Sequence, residues 1–337
     1  MRAHLLESLR GTVLLGVPLA LVAVIGEATA PPATLRTIVN FLITLTLVIA
    51  IQSFSGNSGI VSFGHVAFMG IGAYTAALVT IPSVIKQTTF SGLPGWLDTL
   101  DVGFVPAVLI GTGASALVAA LIGVPLARMR EGAMGMATIG VLVIFFVIFD
   151  NWDAVTRGAA GVFAIPQHTG VYSALAFSVV AVFVARLFRV SNLGLQLRAS
   201  KTDAVAAEAL GADVVRMRWV AWTFSGGVMG MGGALWAEYN IAFDPKQFLF
   251  DQTFQLLAML VVGGLASVSG AVFGAAMVTA ALEIMRRVEE SSGVNGLAQM
   301  VVALLILVVL YYRREGLLGA EVDEALARKL RARRSSG

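Results

Sequence analysis

The stretch GNSGIVSFGHVAFMGIGAY, Gly56 to Tyr74, places His65 and five glycines inside an otherwise apolar run. An imidazole there can serve as an acid or base, bind a metal, or act as a hydrogen-bonding core residue. No second His, Asp or Glu stands at ligand spacing, which argues against a metal site. No Ser–His–Asp order supports a catalytic set either, so no catalytic residue is assigned. The other acids in apolar runs, Glu27, Asp150, Glu238 and Glu283, fall at or near the ends of those runs. A proton relay needs a chain of such groups within one run, and none is present.

The polar residues before His65 raise a second question. The apolar run ahead of them is expected to end near Gln52, and SFSGNSG follows without a strong charge. Ser53, Ser55, Asn57, Ser58 and Ser62 can satisfy backbone groups freed by a broken or re-entrant helix, which is tolerated where it is buried in protein or lines a watery path. Alternatively, Gly56 and Gly59 cap helices around a short turn, and His65 is hydrogen-bonded within the bundle. The residues alone leave both readings open. His65 is expected about six residues into its run, roughly 9 Å from the end.

A further stretch with chemical potential is VSNLGLQLRASKTDAVAAEALGADVVRMR, Val190 to Arg218. Thr202 or Asp203 can cap a helix, AVAAEAL favours one, and Gly211 can stop it. The pattern predicts a short helix over 202–210 outside the apolar runs. With its single carboxylate, Glu208, such a helix could enter a groove on a partner, or lie solvated with its basic flanks on anionic headgroups. Lys201-Thr202 lacks the preceding glycine-rich loop of a nucleotide site, so the chain carries no ATP site of its own.

These groups sit in a chain of 337 residues with 58% hydrophobic and 13% charged residues. Soluble domains carry about 25% charged residues, and apolar runs of about 20 residues recur here from end to end. The fold class is therefore all-α: a polytopic helical membrane protein of about ten spans. The expected spans are 11–28, 35–52, 60–81, 105–127, 132–149, 171–188, 219–237, 253–268, 271–285 and 296–312. Starting with the N-terminus inside, alternate threading leaves only Arg36, Lys86, Arg157, Lys246, Arg286 and Arg287 outside, and the other 17 of 23 basic residues inside. The positive-inside rule then predicts N-in and C-in.

Residues 1–319 form the expected transmembrane domain, including a cytoplasmic loop over 189–218, and 320–337 a charged cytoplasmic tail. The run ending in Ala28-Thr29-Ala30 has the form of a secretory signal, but Pro31 and Pro32 disfavour cleavage, and an uncleaved span is the preferred reading. With no cysteine, thiolate sites are excluded. Basic residues gathered at span ends argue against nucleic acid as a partner. Small residues at four-residue spacing, Gly226-Gly230-Ala234 and Ala266-Gly270-Gly274, predict close helix packing.

In sum, SGNSGIVSFGHVAFMGIGAYTAALV resembles the signature of the LivM-type permease subunits of branched-chain amino-acid ABC importers. The similarity continues through LARMREGAMGMATIGVLVIFFVIFDNWDAVTRGAAGVFAIP, LGLQLRASKTDAVAAEALG, WVAWTFSGGVMGMGGALWAEY, LVVGGLASVSGAVFGA and YYRREGLLG, covering roughly residues 35 to 319. The resemblance implies a bacterial inner-membrane subunit that binds no cofactor, with ATP and Mg held by two cytoplasmic partner ATPases. It also implies a second, homologous permease subunit and an extracytoplasmic solute-binding protein, besides membrane lipid. Arg198, Lys201, Asp203, Glu208, Ala209 and Gly211 then match the element that couples the permease to the ATPases. It tips Gln52, Asn57, Ser62, Gly64, His65, Gly70 and Tyr74 toward the substrate pathway. Two departures put the solute in doubt: Thr156-Arg157-Gly158 where the family often has Thr-Gly-Gly, and small residues and methionine over 134–138. Relatives of this design also carry urea and other small polar solutes. An ion-coupled transporter or channel acting alone fits less well, since buried carboxylates and inverted repeats are not evident. An intramembrane enzyme built on His65 lacks a nucleophile or metal partner.

Overall fold

A computed structural model describes residues 2–90, 92–293, 296–313 and 316–318, with residues 2–7 and 10 described by backbone alone. The expected charged tail at 320–337 and Arg314 lie outside the described residues. Among those described, the regular structure is helical apart from one isolated antiparallel bridge, Val162 to Phe243.

In chain order the helices are α1 (Arg2–Thr29), α2 (Pro32–Ser58), α3 (His65–Thr80), α4 (Ser83–Thr89), α5 (Gly95–Asp98), α6 (Phe104–Leu126), α7 (Glu131–Asn151) and α8 (Asp153–Thr156). There follow α9 (Val171–Val190), α10 (Asn192–Ser200), α11 (Ala204–Ala209), α12 (Val214–Asn240), α13 (Phe250–Gly263), α14 (Val268–Ser292) and α15 (Leu297–Tyr312). Every expected span window overlaps one of these helices, but residues 60–64 precede α3 and residues 264–267 connect α13 to α14. By length and composition, α1, α2, α6, α7, α9 and α14 can each cross a membrane, and α3 with α4, bent by 112° at their break, makes a seventh if taken as one span. α12 is as long as α2, but Arg216, Arg218, Glu238 and its many glycines lower its hydropathy. α13 and α15, with 14 and 16 residues, are shorter than the roughly 20 a perpendicular crossing needs.

The expected end of the second span near Gln52 is corrected: α2 continues to Ser58. Its polar residues sustain the helix by bonding back one turn. The Ser53 and Ser58 hydroxyls donate to the Ile49 and Phe54 carbonyls, and Asn57 Nδ2 to the Ser53 carbonyl, all at 2.8 Å. Gly56 therefore lies inside the helix, and the cap is Gly59 at φ 78°, whose N–H donates to the Ser55 carbonyl. His65, expected six residues into the third span, is instead the first residue of α3. α14 likewise outruns its expected window, so Glu283 lies more than two turns before the helix end rather than near it.

α12 is the hub, packing most extensively on α6, α3 and α2. The glycines permit this. A Cβ on Gly72 of α3 would fall within the Gly230 backbone of α12, and one on Gly230 would meet Ser115 of α6. Ser115 Oγ donates to the Phe68 carbonyl at 2.9 Å, tying α6 to α3 at the same level. In the second expected stripe, Gly270 and Gly274 pack α14 against Gly263 and Met259 of α13. Ala266 does not belong to it, because it lies in the turn between those helices.

Helix ends separate onto two faces. On one, Arg189 Nη1 donates to the Ala266 carbonyl, Arg218 Nη2 reaches Glu131 at 2.6 Å, and Gly59 adjoins the Lys201 side chain. On the other, Val162 and Phe243 exchange backbone hydrogen bonds at 2.9 Å and Tyr239 Oη donates to the Arg36 carbonyl at 3.4 Å.

Candidate coupling and translocation sites

The loop between α9 and α12 folds as a pair of short helices. Ser191 Oγ accepts the Gly194 N–H at 3.2 Å and starts α10, which the sequence reading did not anticipate. Its amphipathic run LGLQL is too short for periodicity to separate from a loop. Asp203 Oδ1 accepts the Ala206 N–H at 2.9 Å and starts α11. The expected helix over 202–210 is thus observed as Ala204–Ala209, with Gly211 just beyond it at φ 86°. Arg198 Nη2 donates to the Arg189 carbonyl at 3.2 Å, anchoring α10 to the end of α9.

In α11 Ala207 is buried, Ala204 is half-buried, and the other four residues are exposed. Asp203, Glu208, Ala209, Gly211 and Lys201 are all exposed. Beside them, Val205 on α11 is 76% exposed and Leu210 just after it 90% exposed, two apolar side chains outside the long apolar segments. An arrangement of exposed apolar residues around one carboxylate is suited to burial against another protein. The sequence reading named Glu208 and missed Val205 and Leu210, because apolar residues inside a helix-forming run carry no mark of exposure.

The residues near His65 form a buried, aromatic junction. His65 is 1% exposed, and its ring lies 4.8 Å from Trp222, 5.7 Å from Phe54 and 6.2 Å from Phe68, centroid to centroid. Nδ1 lies 2.7 Å from Ser62 Oγ and Nε2 2.8 Å from Ser225 Oγ. Ser225 Oγ also donates to the Trp222 carbonyl at 3.0 Å, so its one hydroxyl proton is used. Nε2–H therefore donates to Ser225, and in a neutral ring Nδ1 then accepts the Ser62 hydroxyl. Gly64, which precedes α3, fits closely against the Thr138 backbone of α7, and the Phe63 N–H donates to Thr138 Oγ1 at 3.1 Å.

Gln52 and Asn57 lie in the same region but face other neighbours. Gln52 is fully buried beside Gly56, whose own free space borders the Leu265 carbonyl. Neither its Oε1 nor its Nε2 has a hydrogen-bond partner among the described residues, nor does Asn57 Oδ1. Buried polar atoms are normally paired, so an unpaired carboxamide inside a bundle is a signal. Gly70 and Tyr74 belong to a separate cluster farther along α3. Tyr74 contacts Phe149 and Phe243 at 4.8 and 4.9 Å between centroids, with Phe248 at 5.8 Å, and Gly70 makes room for Phe149. The expected pathway residues are thus all buried within this chain, and the fold distributes them over three neighbourhoods.

Sequence reasoning missed the pair that closes the far end of α12. Glu238 is fully buried, and its Oε2 lies 3.1 Å from Nδ1 of His168, a residue 70 positions away in the loop before α9. Nothing local links the two. Arg157, the departure noted in the Thr-Arg-Gly segment, adopts φ 60°, a left-handed backbone that favours glycine. Its guanidinium donates to the Gly161 carbonyl at 3.1 Å and lies 4.6 Å over the Phe163 ring, contacts that hold the residue there.

The family described as "Branched-chain amino acid transport system / permease component" matches residues 33–310. The high-affinity branched-chain amino acid transport system permease protein LivM of Escherichia coli K12 is 26% identical over 339 residues, covering 89% of this chain and 74% of that protein. LivM of Salmonella typhimurium is 26% identical over 311 residues, covering 82% and 68%. A probable permease named LivH from Methanocaldococcus jannaschii is 24% identical over 251 residues, covering 70% and 74%. No solved structure matches.

Proposed function

Because this chain belongs to the family of branched-chain amino acid transport system permease components, we propose that it is the membrane-embedded permease subunit of an ABC importer for branched-chain or related amino acids. The observation that carries the reading beyond family membership is α11: a capped helix outside the apolar spans that exposes Val205, Glu208 and Leu210. ATP and Mg are bound, and ATP is hydrolysed, by two cytoplasmic ATPases that receive this helix. Arg198 and Lys201 flank it, Asp203 caps it, and Gly211 ends it, so a push on α11 passes into α10 and α12. A second, homologous permease completes the pathway, and an extracytoplasmic binding protein delivers the solute.

All ten apolar helices cross the bacterial inner membrane in this reading, with tilt and neighbouring protein accommodating α13 and α15. Both termini are cytoplasmic, so α10 and α11 lie on the side rich in Lys and Arg. The unpaired carboxamide of Gln52 and the free Oδ1 of Asn57, with Ser62, Gly64 and His65, border the cytoplasmic half of the pathway, and Gly70 and Tyr74 the outer half. Sub-state changes that part the helices would offer Gln52 to the solute's polar groups.

The test is solute uptake into vesicles holding this chain, its permease partner and the ATPases. Uptake of leucine, isoleucine or valine that requires ATP and the binding protein is the expected result. Gradient-driven uptake by this chain alone would overturn it. Glu208→Ala should lower ATP-coupled uptake while leaving the amount of inserted protein unchanged.

A further inference from the structure

A furrow of about 460 Å³ runs between α1, α2 and α14, walled by Leu19, Val22, Phe41, Phe273 and Ala276 among others. All three helices are long and apolar enough to cross a membrane, so the furrow lies among membrane-spanning segments. It shares Thr37 and Ala280 with a second chamber of about 540 Å³, where the walls change to Glu283, Arg287 and Ser291. Along α14 the apolar part, Ser269 to Ala280, and the polar part, Ala280 to Ser291, each extend roughly 16 Å.

The charges at the polar end are unevenly committed. Arg286 is bridged to both Glu283 and Glu290, and Glu289 Oε1 accepts the Ala298 N–H at the start of α15. Arg287 donates through Nε to Glu283 Oε1 at 2.9 Å, while its Nη2 makes only a 3.5 Å contact with Thr34 Oγ1. Its side chain is 56% exposed, so a guanidinium edge remains for an anion. Along α14 the apolar chamber is followed directly by the charged one, the order of an acyl chain and its phosphate.

We propose that this furrow is a phospholipid site, with one acyl chain in the apolar chamber and the phosphate against Arg287. The occupant is a bilayer lipid with an anionic phosphate, drawn from the leaflet on the Arg287 side. The site depends only on the membrane-spanning character of α1, α2 and α14, and stands or falls separately from the transported solute.

The experiment is native mass spectrometry of the purified permease, with its partner subunits, titrated with dioleoylphosphatidylglycerol. Wild-type protein should retain one lipid through detergent exchange, and Leu117→Trp, on the exposed face of α6, should match it. Arg287→Gln should weaken retention by about tenfold, the scale of one charge-assisted hydrogen bond. Ala276→Trp, which fills the apolar chamber, should abolish it. Failure of the wild type to retain lipid, or wild-type retention in either furrow variant, would overturn the site. Because the chain has no cysteine, Phe273→Cys gives an independent readout in native membranes. Disulfide-linked copies through that position would show a protein occupant and overturn the lipid assignment, and protection by lipid without cross-linking is the expected result.

Discussion

At the residue scale, His65 and Gln52 make opposite predictions. His65 is satisfied at both ring nitrogens by Ser62 and Ser225, within an aromatic shell. His65→Phe leaves the Ser62 hydroxyl buried without its partner, a loss of about 1–3 kcal/mol. Thermal melting of the detergent-purified protein should therefore shift down, and an unchanged midpoint would contradict a structural role. Gln52 has no such partners. Gln52→Leu removes an unpaired buried carboxamide, so melting should stay level or rise, while solute uptake falls. A destabilised variant with normal uptake would remove Gln52 from the pathway. The types of both residues were legible in the sequence. Their difference in hydrogen bonding was not, since Ser225 lies 160 positions from His65.

At the element scale, glycine positions decide whether helices meet or turn. Gly72 and Gly230 bring α3 and α12 into backbone contact, so Gly72→Val should sharply reduce folded protein. Gly113→Ala, where a Cβ would meet nothing on the same α6 that borders this interface, should be neutral, and expression with gel filtration separates the two. Gly211 is different: it is exposed, and only its φ of 86° demands glycine. Gly211→Val places a branched residue in the left-handed region at about 1–2 kcal/mol. The expected result is weaker association with the ATPases in a pull-down, with insertion intact. The end of α11 was readable from Asp203 and Gly211, because caps are local devices. The end of α2 was not, because Ser53, Asn57 and Ser58 read as loop formers and instead bond back along their own helix.

At the scale of the whole molecule, the threading can be checked with introduced cysteines, since the native chain has none. Trp96, 69% exposed within α5, and Leu210, 90% exposed after α11, belong to opposite faces. An impermeant maleimide should label Trp96→Cys in spheroplasts and Leu210→Cys only after permeabilisation, and the reverse pattern would invert the topology. Composition and charge alone determined that the chain is a helical membrane protein, where its apolar windows lie, and which face the positive-inside rule favours. Those properties follow from solvation of short segments and need no partner. The ordered motifs likewise determined the family resemblance. Tertiary structure alone decided that α12 is the hub and that His65 is a satisfied junction residue. It also decided that His168 closes over Glu238, and that α1, α2 and α14 enclose a furrow ending at Arg287. Each of these is a meeting of segments distant in sequence, and such meetings depend on shape complementarity and hydrogen-bond pairing, which no local pattern of residues encodes.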